Sequence, residues 1–321
     1  KRQALTCAVV AGSISFANSA KAIDISDSAG LQNSSNYTDG AVLNIVSDIE
    51  MSSNLPAISN AIGVEMSGDN HLNKHLINGS DHQGYQFSNG ANFSISNLTF
   101  DNFQASEIKI FTTDTTAGSV LFLTDSTAVL NNVNIKNSES TISPLIFATG
   151  NSHGGAIANL NGTLTIVGSS IASNTANVNR GLGTSGNALG GAIYNTGTLN
   201  IKDSDLTGNK TVSAAGNAYG GAIYNAGTIN ISGTSFSGNT QGSEANDIYF
   251  AQNSVMNVEQ GNAVTIGSGI ASADTSANIN IKDGGNLVMA DINSSGYSGN
   301  VNVESNGVLT CLLYTSPSPR D

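Results

Sequence analysis

The sequence predicts an all-β solenoid of the parallel β-helix type, and three observations carry that prediction. One phrase recurs three times, as Gly154-Gly155-Ala156-Ile157-Ala158-Asn159, Gly190-Gly191-Ala192-Ile193-Tyr194-Asn195 and Gly220-Gly221-Ala222-Ile223-Tyr224-Asn225. Each copy is followed by an alternating run (163–166, 198–201, 228–231) and then by a hydrophobe-x-x-Asn tetrapeptide: Ile171 to Asn174, Leu206 to Asn209 and Phe236 to Asn239. The copies start 36 and 30 residues apart, periods that belong to stacked repeats.

The type of repeat follows from the pattern inside it. Between copies no segment places apolar residues at i, i+3, i+4 and i+7, whereas Leu199/Ile201 and Ile229/Ile231 alternate with polar residues. One unit therefore reads as three short strands, around Ile193, around Leu199 and Ile201, and around Leu206. Stacked units would pair each strand with its equivalents about 4.8 Å above and below. Bends between short strands call for residues that tolerate positive φ, which accounts for 36 glycines against 4 prolines. Ile157, Ile193 and Ile223 are expected to form an inward stack, each burial contributing about 1.5–3 kcal/mol. Asn159, Asn195 and Asn225 are expected in register as an amide ladder.

Taken in order, residues 1–22 read as a secretion signal. Lys1-Arg2 is basic, Ala4 to Ala17 is an apolar run too short to span a bilayer, and Ala20 and Ala22 are the small residues before a cleavage point after Ala22. Cleavage would remove Lys1, Arg2 and Lys21, leaving the chain three charges more acidic than its formal −12. Residues 23–84, rich in Ser, Asn and Asp, read as an N-terminal cap with irregular rungs, including the apolar runs 42–45 and 62–66. Residues 85–310 read as the β-helix proper. Within them 93–100, 120–123 and 128–135 are degenerate relatives of the later units, and 255–258, 264–266, 279–281, 287–289 and 301–303 continue the stack. The stretches 176–189 and 212–219 read as inserted surface loops, with Thr211 exposed at the edge of the second. Residues 311–321 break in composition, carry half of the prolines and resemble translated adapter sequence, so they are set apart as a non-native tail. With Cys7 in the signal and Cys311 in the tail, no disulfide is expected to hold the repeats.

Chemistry-bearing residues are sparse. Only 11% of residues are charged and no basic cluster follows the first residues, which excludes nucleic acid as a partner. His71, His75 and His82 lie near Asp69 and Asp81, but Gly and Asn between them argue against the helix that would align metal ligands. His153 has no Ser or Cys motif beside it. Asp203 and Asp205 face Gly168/Ser170 and Gly233/Ser235 at the matching places of the neighbouring units, so no carboxylate pair aligns across rungs. No catalytic residue, metal site or cofactor is expected.

The Gly-Gly-Ala-Ile phrase joined to the hydrophobe-x-x-Asn tetrapeptide, as in Gly220 to Ile223 with Phe236 to Asn239, resembles the polymorphic outer-membrane proteins and related type V autotransporters. The resemblance is strongest over 154–250 and looser over 85–310. It implies a right-handed parallel β-helix passenger of the pectin-lyase type, exported, displayed on the bacterial outer membrane or released, and acting as an adhesin toward host-cell or matrix molecules, protein or glycan. The family also carries a C-terminal β-barrel anchor, which has no counterpart before the tail, so the passenger is expected without its anchor. The alternatives are a secreted polysaccharide-active β-helix enzyme, with Asp203 or Asp205 essential, and a structural surface-layer protein.

Overall fold

A computed structural model of the protein describes residues 22–68, 74–272, 274–290 and 296–311. The expected secretion signal up to Lys21, together with Asp69 and His71, lies outside the described residues.

The described chain is a parallel β-helix. Each complete rung contributes one strand to each of three long sheets, which count nine, eleven and ten described strands because the end rungs are partial, and the neighbours in these sheets come from consecutive rungs. In the second copy these strands are Ile193–Asn195, Thr198–Lys202 and Asp205–Thr207, as the repeat pattern predicts. Register is set residue by residue. Ile157 pairs with Ile193 and Ile193 with Ile223, while Leu164, Leu199 and Ile229 align in the next sheet. All six are fully buried and belong to one core that runs the length of the stack.

The two glycines of the phrase have separate causes. Gly154, Gly190 and Gly220 lie at φ of +67°, +70° and +70°, and a Cβ there would fall about 2 Å from the carbonyl oxygen three residues on. A Cβ on Gly155 or Gly191 would instead meet a carbonyl of the rung above, at 2.1 Å from Gly191 O and 2.0 Å from Gly221 O. The first glycine makes the turn; the second lets the rungs approach.

The asparagines fill the corners of the core. Asn159 Nδ2 donates to Asn195 Oδ1, and Asn195 Nδ2 to Asn225 Oδ1, each at 2.8 Å. A second ladder, which spacing alone did not indicate, runs through the tetrapeptides. The backbone N–H of Asn174 donates to Asn209 Oδ1 and that of Asn209 to Asn239 Oδ1, at 3.0 and 2.9 Å, while their amide groups also reach the carbonyls of Ile135 and Ile171. These buried amides satisfy backbone groups that a bend would otherwise strand away from water.

Bends between strands sit where sequence showed continuous runs. The stretch 93–100 is split into Asn92–Ser96 and Leu98–Asp101 by Asn97, and 128–135 is split by Asn132. Asn97, Asn132, Gly168, Asp203 and Gly233 occupy one corner in successive rungs, all at φ between 48° and 59°. Asn and Asp tolerate that region better than other residues with a Cβ.

The first described strand is Ile23–Ile25, and a five-residue helix, Ser28–Gln32, buries Leu31 in the core. Tyr37 Oη donates to Leu31 O at 2.7 Å and lies 2.8 Å from Tyr85 Oη, tying this cap to the stack. Cys311 is the last residue of the strand Val308–Cys311, which pairs with Asn286–Met289. No described helix is long and apolar enough to cross a membrane.

One expectation is overturned. The stretches 176–189 and 212–219 are only partly loops: Thr175–Val178, Ala188–Leu189, Lys210–Ser213 and Ala218–Tyr219 are strands of two further sheets, of six and four strands, all parallel but for the last strand of the larger. Thr211 is accordingly buried, with no hydrogen-bond partner for its Oγ1, where a loop edge would have exposed it. The reason is that several consecutive rungs carry the extra strands, so they stack on one another and exclude water.

Candidate functional site

These extra strands form a lobe on one side of the helix. It opens with Gln104–Ile110 and Thr113–Ala117, continues through Glu139–Ile146 and Thr149–His153, and shortens to two residues at Thr240–Gln241, where Glu244–Ala245 pairs antiparallel and closes the sheet. Its interior is small: Ile142, Ala176, Val178 and Ala188, with Ala215 against them. Buried hydroxyls complete it, Ser152 Oγ donating to Ser140 O at 2.6 Å.

The outer rim of the lobe is apolar. Phe111, Phe147 and Leu182 are 69, 66 and 69% exposed, beside Ile108 and Leu145. Backbone bonds fix this ridge: Phe111 N–H donates to Ile146 O at 3.0 Å and Phe147 N–H to Leu182 O at 2.8 Å. The two phenylalanine rings lie side by side, 6.4 Å apart. Both residues sit at positive φ, 56° and 44°, uncommon for bulky side chains. Pro144 lies next to a bulge, where Leu145 is skipped in the pairing, a place where a sheet tolerates proline. An exposed apolar patch on a protein this polar is a candidate contact surface. Sequence reading missed it, although Ile108 to Phe111 and Leu145 to Phe147 break the period-two alternation and so carry the signal.

Between the lobe and the nine-stranded sheet stands an aromatic column. His153 stacks on Tyr194 at 4.1 Å, Tyr194 on Tyr224 at 5.4 Å and Tyr224 on Tyr249 at 5.6 Å, all within 10° of parallel. Burial holds the His153 imidazole near pKa 4, hence neutral at physiological pH, and burial with three neighbouring tyrosines pushes the Tyr224 hydroxyl up to about 12.

At the wide end of the lobe is a cavity of about 460 Å³. Its lining mixes apolar residues such as Phe122 and Leu160 with polar ones such as Gln83 and Gln86, and His153 is also on its wall.

The other candidates fall into place. Asp203 is a corner residue, its Oδ1 accepting from Asn262 at 3.3 Å, and Asp205 accepts from Ser235 Oγ of the next rung. Asp205 stands between Ser170 and Ser235 in register, as the repeat alignment indicated. His75 Nδ1 lies 3.4 Å from Asp48 Oδ1. Among the described residues no three His, Cys, Asp or Glu side chains are grouped to hold a metal. The motif residues Gly154 to Asn239 are all architectural, setting turns, core and ladders. No family model, curated protein or solved structure matches the chain.

Proposed function

We propose that this β-helix is an exported, non-enzymatic display scaffold, an adhesin-like passenger whose side lobe makes contact with molecules on a host cell, another bacterium or a matrix. The observation that carries this reading is the apolar ridge of Phe111, Phe147 and Leu182, held rigidly outward by three stacked rungs. The repeat resemblance to autotransporter passengers supports it, as does the position of Ala22. The first described strand starts at Ile23, so cleavage after Ala22 would leave every described strand intact. The acidic balance of 23 carboxylates to 11 basic groups suits a surface that must stay soluble outside the cell.

Two measurements test the reading. Protein recovered from the surface of intact producing cells should begin at Ile23 and be digested by added protease while cytoplasmic markers survive; retention inside the cell overturns export. Purified protein should adhere to target cells or matrix, and Phe111→Ser with Phe147→Ser should abolish adherence without changing the β-rich circular dichroism spectrum. Full adherence by that variant removes the ridge from the function.

A further inference from the structure

The two edges of the lobe are finished differently. At the far edge Glu244–Ala245 folds back antiparallel on Thr240–Gln241 and closes the larger sheet. At the opposite edge Gln104–Ile110 and Thr113–Ala117 each have a neighbour on one side only among the described strands. The bonds that flank the longer strand fix the direction of its backbone groups. Gln104 N–H donates away from the sheet, to His82 O at 3.0 Å, and Phe111 N–H donates into it, to Ile146 O. Alternate residues of a strand point opposite ways, so Ser106, Ile108 and Ile110 aim N–H and C=O outward, and none of these six groups has a hydrogen-bond partner among the described residues. Ser106 is exposed, and Ile108 and Ile110 are 71 and 49% exposed. The shorter edge is blocked at its centre, where Asp114 Oδ1 accepts from Thr115 N–H at 2.7 Å. A free seven-residue edge with exposed apolar residues is a template for another strand.

What this edge complements best is itself. When two copies of Gln104–Ile110 are laid antiparallel about a two-fold axis at Ile108, outward residues meet outward residues: Ile108 faces its own copy, and Ser106 faces Ile110 on either side. These are hydrogen-bonded pairs, each exchanging two bonds, so all six free groups of each copy are satisfied at once. The same register sets Glu107 of each copy opposite Lys109 of the other, unlike charges at a cross-strand position. The far edge shows that the sheet accepts an antiparallel neighbour. We infer that the chain forms a symmetric dimer in which two Gln104–Ile110 edges join the lobes into one continuous sheet. The inference goes beyond the display reading and does not rest on export, on cleavage or on what the ridge touches.

Sedimentation equilibrium of the purified full chain over roughly 1–200 µM, a span in which small interfaces associate, should show the mass rising from 32.6 kDa toward twice that value. Ile108→Pro removes an N–H that no bond within one copy uses, a place where an edge strand accepts proline, and should weaken association at least about tenfold while keeping the melting temperature of the dilute protein. Glu107→Lys should weaken it likewise, and Glu107→Lys with Lys109→Glu should restore it, which reads the register and carries the test if the proline variant fails to fold. In a chain with Cys7→Ser and Cys311→Ser, Ile108→Cys places two thiols on Cα atoms about 5.5 Å apart, within disulfide reach. It should cross-link two copies under mild oxidation far faster than Ile62→Cys, an exposed site on an opening rung. A single-copy mass throughout the range overturns the proposal, and so does a charge swap that restores nothing. A dimer that persists in Ile108→Pro also overturns it; its loss in Phe147→Ser would then make the ridge the joint. Adherence to cells or matrix is read separately, so a monomer leaves the display reading standing, and failure of display leaves the dimer standing.

Discussion

Asn239 Nδ2 donates to Asp247 Oδ1 at 2.7 Å, so the upper end of a buried asparagine ladder closes on a buried carboxylate. Asp247 stands in register where the repeats carry Ala222, Ala192 and Ala156, and its other oxygen accepts from Ser268 N–H at 2.6 Å. Burial raises its pKa above the ordinary carboxyl value, with the donated hydrogen bonds opposing in part.

A group whose pKa is raised on folding is protonated more readily in the native state. Its contribution to stability therefore rises as pH falls toward the native pKa, and is lost again as pH rises through it. Comparing urea denaturation of wild type and Asp247→Asn at pH 7, 5.5 and 4.5 should show wild type gaining on the variant as pH drops. A constant difference would mean that Asp247 is not desolvated.

His153 acts with the opposite sign. Its native pKa of about 4 lies below the ordinary imidazole value of 6.5, so its contribution is complete above about pH 6.5 and is lost as pH falls to about 4. The loss is on the order of 3 kcal/mol. His153→Phe, which keeps a flat ring against Tyr194, should flatten the stability profile across that window; an unchanged acid limb would place the imidazole in contact with water.

Gly190 and Gly168 both sit at positive φ, yet they differ in space. A Cβ at Gly190 would lie 2.0 Å from Ile193 O, whereas nothing lies within 4 Å at Gly168, whose corner equivalents are Asn97 and Asn132. Gly190→Ala should cost more than about 3 kcal/mol, and Gly168→Asn less than about 0.5. Equal melting temperatures for the two variants would contradict the turn geometry.

Ile193 and Thr211 are both fully buried, with different prospects. Ile193→Ala should cost about 2–5 kcal/mol and loosen hydrogen exchange first in repeats 154–250, since rungs contact mainly their neighbours. Thr211→Val removes a hydroxyl with no partner and should leave stability unchanged or raised by about 1 kcal/mol. Loss of stability at Thr211→Val would reveal a partner for that hydroxyl.

The main helix was legible in the sequence because its contacts repeat. Ile157, Ile193 and Ile223 must each meet a copy of themselves one rung away, so the same residue recurs at the same place and the recurrence can be read directly. The ladder of Asn159, Asn195 and Asn225 was readable for the same reason. The tetrapeptide asparagines were visible as a pattern, but their bonds to backbone groups of neighbouring rungs were not, since the partner N–H and C=O carry no sequence signature.

The lobe was decided by tertiary structure alone. Its strands differ in length and composition from rung to rung, and Ile142, Val178 and Ala188 share no motif, so local pattern reads as loop. Stacking makes them a sheet: each strand is too short to persist by itself, and pairing with the rungs above and below supplies the backbone bonds and burial it lacks. The same stacking buries Thr211, exposes Phe111 and Phe147 at a shared rim, and leaves Gln104–Ile110 as an open edge. The sequence by itself determined the rung, because a rung is local and repeated. The tertiary structure decided the surface, because a surface is what remains after distant rungs have covered one another.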